Sequence, residues 1–344
     1  MSLIVYISKS EHLLALVESG VNNAVIRWQG SRGYDFPIAI LDHVPRRSKL
    51  KFDVGSITQI GGINMLASRI GWSRLILEEP SDLPAKYLAY AAGLPGLSSP
   101  KDYRKMIAYP KIDTHWHTGK WGIGIEPRTQ PMNLSDDIRK FGIRIALTSS
   151  ITALDGDLHL GNAETASFCK RDPRVFGLVV VNPLQVASSI TQINKYKHLF
   201  VGIKTIQDEI EGGLMHPGYR EIFKSLPEGW PVMAHLGGLK ETIQEFPHLT
   251  FIAAHSTWDW EPLIPLKNVY FDIATSARHD LTELIDQAPD RVIFSSDAPL
   301  VSPAFTLGKL GHLNLPEMVL RKIYTLNALE VFPKLRSKIG LLAG

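Results

Sequence analysis

The sequence predicts an α/β protein: a (β/α)8 TIM barrel preceded by a small N-terminal α/β domain. Eight short apolar runs recur from residue 111 onward, and amphipathic stretches separate them. A Pro-, Gly- and Ser-rich stretch at 93–103 sets the front of the chain apart. The runs are 111–115, 143–148, 175–182, 200–206, 231–236, 250–256, 268–275 and 292–299. Each is almost continuously apolar and β-branched, the pattern of strands buried on both faces. Between them, 161–171, 218–226 and 279–287 read as helices. An open doubly wound sheet would carry a Gly-rich first turn, and no G-x-G-x-x-G follows a strand here.

The front segment reads differently. Residues 2–8 and 24–28 are strand candidates with a helix at 11–19 between them, and 37–41 is a third strand candidate. Helices are expected at 63–70 and 83–92. The expected division is a small α/β domain over 1–105, of unknown role, and the barrel over 106–344. His43, after an apolar run, reads as an ordinary surface or capping residue.

Bulk properties narrow the function. The 344 residues are 44% hydrophobic and 21% charged, ordinary for a soluble globular chain. A net charge of +3, spread along the chain, gives no reason to expect a nucleic-acid partner. No run approaches the roughly 18–20 apolar residues of a membrane span, and Lys9, Glu11 and His12 interrupt the apolar start at once. The expected location is the cytoplasm. The lone Cys169 excludes an intrachain disulfide and a Cys-rich zinc site. A metal would rest on histidines and carboxylates.

The chemistry concentrates at strand ends. In the segment IDTHWHTG (112–119), His115 and His117 alternate to one face, about 6–7 Å apart along a strand. Asp113 shares that face one step deeper, where it can orient a ligand, and Trp116 points to the opposite face as packing. With 12 histidines in 344 residues, chance alone supplies roughly 0.4 H-x-H pairs, so the pair is a weak signal by itself. Position strengthens it. His235 ends the fifth barrel strand, His255 the sixth and Asp297 the eighth, and active sites of such barrels sit at those ends. Gathering five polar groups there without a charge partner would be costly, and a divalent cation supplies the partner. Imidazoles and a carboxylate without thiolate suit Zn²⁺, with Fe²⁺ and Mn²⁺ as competitors, while Ca²⁺ and Mg²⁺ prefer oxygen shells.

The ordered segments IDTHWH, GIK, PVMAHLG, PHLTFIAAHS, NVYFDIATS, DRVIFSSDAP and KIYTLNALEVF resemble the amidohydrolase-related branch of the amidohydrolase superfamily. That branch includes the aminocarboxymuconate-semialdehyde decarboxylase-like metal-dependent hydrolases. The resemblance spans 111–333. It implies one divalent metal ion, zinc first, on His115, His117, His235 and Asp297. It implies His255 beside it as a catalytic acid/base or electrophile, and Asp297 as catalytic as well as ligating. Asn327 is a landmark of the closing helix. The usual Gly-Ser-Asp before the last ligand is Ser295-Ser296-Asp297 in this chain, and about 110 residues precede the H-x-H.

Lys204, near the end of the fourth barrel strand, is read against a substrate carboxylate; a carboxylated lysine bridging two metals and a head reaching solvent are the other readings. Arg278 and Arg128, with Trp121, Trp258, Trp260 and His216, fall in loops at the active end, and Arg278 or Arg128 would suit a planar carboxylate. His159, His198, His248, His279 and His312 read as solvent-facing. The expected function is hydrolysis of a small amide, ester or lactone by a metal-activated water. Non-oxidative decarboxylation on the same site and a non-catalytic binding barrel are the alternatives. The expected partner is a small-molecule substrate, with a homodimer as the general expectation for an oligomer.

Overall fold

The computed structural model describes residues 4–7, 15–16, 18–21, 23–28, 49–53, 75–76, 103–119, 141–206, 210–235, 239–256, 260–274, 278–298 and 303–342. Two parallel sheets result. The first has four strands in the order β1 (Ile4–Ile7), β2 (Val25–Trp28), β3 (Lys51–Asp53) and β4 (Leu75–Ile76). Strands β1 and β2 fall inside the expected runs. β3 and β4, three and two residues long, are too short to show a periodicity. The third strand candidate at 37–41, the helices at 63–70 and 83–92, and His43 lie outside the described residues, as does 93–102; a helix begins at Tyr103.

The second sheet is the barrel. Its strands are β5 (Lys111–Thr118), β6 (Ile143–Ser150), β7 (Val175–Val181), β8 (Gly202–Thr205), β9 (Pro231–Ala234), β10 (Thr250–Ala253), β11 (Val269–Asp272) and β12 (Val292–Ile293). They pair in sequence order and in parallel. Backbone bonds join the last strand to the first: Thr114 N–H donates to Phe294 C=O at 3.1 Å, Asp297 N–H to His115 C=O at 2.9 Å and His117 N–H to Ala298 C=O at 2.7 Å. The eight strands are thus a closed ring. Helices such as Leu158–Arg171, Val186–Tyr196 and Pro217–Lys224 connect them and cover the outer face.

Side-chain alternation divides the barrel interior into two levels. Ile145, Leu147, Leu178, Met233, Ile252 and Ile293 form one apolar cluster, completed by Ala328 and Leu329 of the closing helix (Asn327–Val331) and by Phe332 and Leu335 beyond it. On the two-residue period, Met233 shares its face with His235, Ile293 with Ser295 and Asp297, and Leu147 with Ser149. The polar residues therefore stand one or two steps further along strands whose earlier inward positions are apolar. Below them the closing segment seals the floor. A π-helical turn, Lys322–Leu326, leads into it, and the Ile323 carbonyl accepts the Phe294 N–H at 2.9 Å. Asn327 fixes the next turn, donating from Nδ2 to the carbonyls of Pro289 (2.9 Å) and Val292 (2.8 Å). Its role is to tie the closing helix to the foot of β12.

Candidate metal centre

Five residues singled out in the sequence meet at the C-terminal end of the barrel strands. His117 Nε2 lies 3.1 Å from Asp297 Oδ1, and His115 Nε2 lies 3.6 Å from the same oxygen. Ring centroids of His115 and His117 are 5.0 Å apart, those of His115 and His255 4.8 Å, and those of His235 and His255 5.3 Å. Donor atoms of His115, His255 and Asp297 fall within 4.8 Å of one another, the spacing at which three groups could share an ion. His255, read as an acid/base group, is thus as close to the cluster as the expected ligands. Two of these residues bend the backbone to reach it. His255 (φ 52°) and Asp297 (φ 64°) are left-handed, a conformation costing non-glycine residues about 1–2 kcal/mol. Both stand where a strand ends, and the turn re-aims the side chain.

A layer of hydrogen bonds fixes these groups from behind. His115 Nδ1 is 2.6 Å from Asp272 Oδ2, with both side chains buried. Burial alone would raise the Asp272 carboxyl, but the neighbouring His115 and its N–H, with His255 and the Ser295 hydroxyl, hold it down at about 2. An ionised carboxylate only accepts, so His115 Nδ1 carries the proton. Burial, opposed by Asp272 and reinforced by Lys204, lowers His115 to about 3. The contact is therefore a neutral imidazole donating to an anion, and Nε2 keeps its lone pair. Asp297 is also held below the usual carboxylate range: burial would raise it, but the His117 hydrogen bond and the neighbouring histidines prevail.

His117 Nδ1 meets the Ser149 hydroxyl at 3.2 Å, and His255 Nδ1 meets the Ala274 carbonyl at 3.3 Å. Asp113 lies beneath: Oδ1 accepts the N–H of His115 (3.3 Å) and of Ser296 (3.1 Å), and Oδ2 the Ser296 hydroxyl (2.6 Å). Lys309, fully buried, donates to the Ile273 carbonyl at 2.7 Å and faces the Asp272 charge, and burial lowers it to about 7.

These residues fit a divalent ion. Among the described residues, His115 Nε2 is a buried polar atom without a hydrogen-bond partner, directed at a carboxylate just beyond bonding distance. It belongs to a neutral imidazole in the tautomer a metal requires, and the acceptor beside it is anionic. No thiol takes part; Cys169 is buried in the outer core.

The other candidates divide. Lys204 is 2% exposed on β8, which removes the reading in which its head reaches solvent, and its charge is felt at His115. Trp260 is buried packing, and His216 caps a helix by accepting the Gly218 N–H at 3.1 Å. His159, His198 and His248 are exposed. Trp121, Arg128 and Trp258 lie outside the described residues, as do the side chains of Arg278, His279 and His312. Sequence reasoning missed Asp272, Ser149 and Lys309. An acid in the apolar run VYFDIA was the one available signal; a serine at a strand end and a lysine on a helix carry none.

The sequence profile of the amidohydrolase family matches residues 112–334. No match was found among curated proteins. Solved structures are similar in fold. A 5-carboxyvanillate decarboxylase from Novosphingobium aromaticivorans, complexed with manganese and 4-hydroxy-3-methoxy-5-nitrobenzoic acid, is 14% identical with a TM-score of 0.54, covering 66% of this chain and 97% of its own. A 2,6-dihydroxybenzoate decarboxylase from Rhizobium is 14% identical with a TM-score of 0.50, covering 66% and 99%. A probable 2-pyrone-4,6-dicarboxylic acid hydrolase from Acinetobacter baumannii, with citric acid bound, is 13% identical with a TM-score of 0.51, covering 65% and 99%. The profile match spans nearly all of the barrel just described, and the chain belongs to the amidohydrolase superfamily, in its amidohydrolase-related branch of metal-dependent enzymes.

Proposed function

We propose that this enzyme is a hydrolase of a small amide, ester or lactone that works with one divalent ion, zinc by the chemistry of its donors. The observation that carries the reading is the buried His115 Nε2, without a hydrogen-bond partner among the described residues and facing Asp297 Oδ1 at 3.6 Å. A cation between them satisfies both groups. His115, His117, His235 and Asp297 would hold it. When bound, the ion supplies a Lewis acid that polarises a carbonyl and lowers the pKa of water.

The chain's residues supply the rest. Asp297, held anionic, takes a proton from the attacking water and returns it to the leaving group. His255, donating from Nδ1 to the Ala274 carbonyl, turns the Nε2 lone pair to the site and can take up and return a proton there as the acid/base group. Lys204, buried beside His115, holds a substrate carboxylate, with Arg278 at the head of the helix Arg278–Gln287 as its partner. The apolar floor beneath excludes water from the far side of the site.

Decarboxylation is the second reading, and Lys204 favours it too. A buried ammonium group next to the cluster suits a substrate carboxylate, and two of the similar structures are of enzymes named decarboxylases. Manganese, named in one of them, competes with zinc. Metal analysis of the purified protein tests the centre: about one ion per chain is expected, lost in His235→Ala. Full occupancy in that variant removes His235 from the ligands. Lactones, amides and aromatic carboxylic acids, assayed in parallel for hydrolysis and carbon dioxide release, separate the two reactions.

A further inference from the structure

We infer that Ser295 is a positioning residue of the metal centre: its hydroxyl locks the Asp272 carboxylate against His115 and thereby decides which imidazole nitrogen His115 offers to an ion. The inference rests on the metal reading above. A hydroxyl has one proton and two acceptor positions. At Ser295 both acceptor positions are filled, by the N–H of Ile273 at 2.9 Å and of Ala274 at 2.8 Å. The one proton is left for Asp272 Oδ1, 2.6 Å away. Ser295 and Asp272 are both fully buried, so bulk water does not compete.

Asp272 Oδ1 also shares the Ala274 N–H with Ser295, at 2.7 Å. With that oxygen engaged, Oδ2 is turned to His115 Nδ1 at 2.6 Å. The proton then sits on Nδ1, and Nε2 presents a lone pair toward Asp297. The opposite tautomer would aim an N–H at the ion's position.

Ser296 makes a useful contrast. Its hydroxyl donates to Asp113 and accepts the Ala298 N–H at 3.1 Å, which organises backbone and touches no ligand ring. Ser295 also stands where the chain departs from the Gly-Ser-Asp pattern. Glycine has no hydroxyl to give, so this chain holds a donor to Asp272 that the pattern lacks.

The test compares Ser295→Ala and Ser295→Gly with Thr306→Val. The Thr306 hydroxyl donates to the Ser295 carbonyl at 2.9 Å and leaves Asp272 untouched, so its loss gauges a purely structural defect. Zinc affinity is measured by chelator competition, and the His115 tautomer by ¹⁵N–¹H spectra of zinc-free protein. Both Ser295 variants are expected to weaken zinc about ten- to hundredfold and to shift His115 from Nδ1–H toward a mixture of tautomers. Thr306→Val should do neither. Zinc affinity within about threefold of wild type with an unchanged tautomer overturns the inference, as does an equal loss in Thr306→Val. Wild-type protein that binds no divalent ion refutes the metal reading instead, and the tautomer in zinc-free protein still decides the role of Ser295.

Discussion

Replacing Asp272 by asparagine probes the support of the centre directly. The amide would fit the same space, and its orientation is dictated by its surroundings. One end of the present carboxylate accepts from the Ser295 hydroxyl and the Ala274 N–H, so the amide oxygen must take that place. The NH2 group then faces His115 Nδ1, where an oxygen now lies at 2.6 Å. Two donors cannot share that contact, and the imidazole proton moves to Nε2, the nitrogen proposed to bind metal. A charge-assisted hydrogen bond between buried groups contributes about 1.5–3 kcal/mol. Loss of a supporting partner of a ligating histidine typically lowers metal affinity about 10–100-fold, or roughly 1.4–2.7 kcal/mol. The two figures agree, and Asp272→Asn should bind zinc at least about tenfold more weakly. Chelator competition at neutral pH measures it. Affinity within about threefold of wild type would refute the tautomer argument.

Other outcomes follow from neighbouring residues. Lys204→Met should raise KM for a carboxylate-bearing substrate about ten- to hundredfold and leave metal content unchanged; an unchanged KM removes Lys204 from the substrate. Lys309 carries a pH dependence. Its ammonium is lowered from 10.5 to about 7 in the folded chain, so between those values the unfolded chain binds a proton that the folded one has released. Stability from this group rises with pH across that window, by an upper limit on the order of 5 kcal/mol. Lys309→Met should therefore gain most over wild type at or below pH 7, and the advantage should shrink toward pH 10; chemical denaturation at several pH values would show a constant difference if the assignment is wrong. Asn327→Ala leaves two carbonyls unpaired at the foot of β12, and should cost about 1–3 kcal/mol. A thermal midpoint lowered by a few degrees with unchanged metal content is the expected result; an unchanged midpoint would mean the two bonds are replaced.

The barrel was legible because burial on both faces leaves a direct imprint: a strand such as VFGLVVV has no polar position to obscure it. The runs overreached at their ends. The eighth spans 292–299 in sequence, yet regular pairing covers only Val292 and Ile293. Beyond them the backbone is set by side-chain contacts and by the left-handed turn at Asp297, which residue type alone does not encode. The histidines were visible because imidazole at the end of an apolar strand is unusual. Of their supporting layer only Asp113 was visible, from its place on the face of His115 and His117; the rest was not, because serine, aspartate and lysine acquire meaning there only through neighbours up to about 180 positions away, as Ser296 does through Asp113. His216 failed in the opposite direction: a loop histidine near the active end turned out to cap its own helix.

The brevity of β12 has a consequence for how the last strand finds its register. Only two backbone pairs join it to β11, and the segment that follows is held in register by its three backbone bonds to β5. The adjacent serines add to that lock, since the Ser295 hydroxyl donates to Asp272 of β11 and the Ser296 hydroxyl to Asp113 of β5. A slip of one residue would interchange the two hydroxyls, strand both acids in the interior and swing the terminal aspartate out of the barrel. The register of the final strand and the placement of the active centre therefore depend on the same contacts.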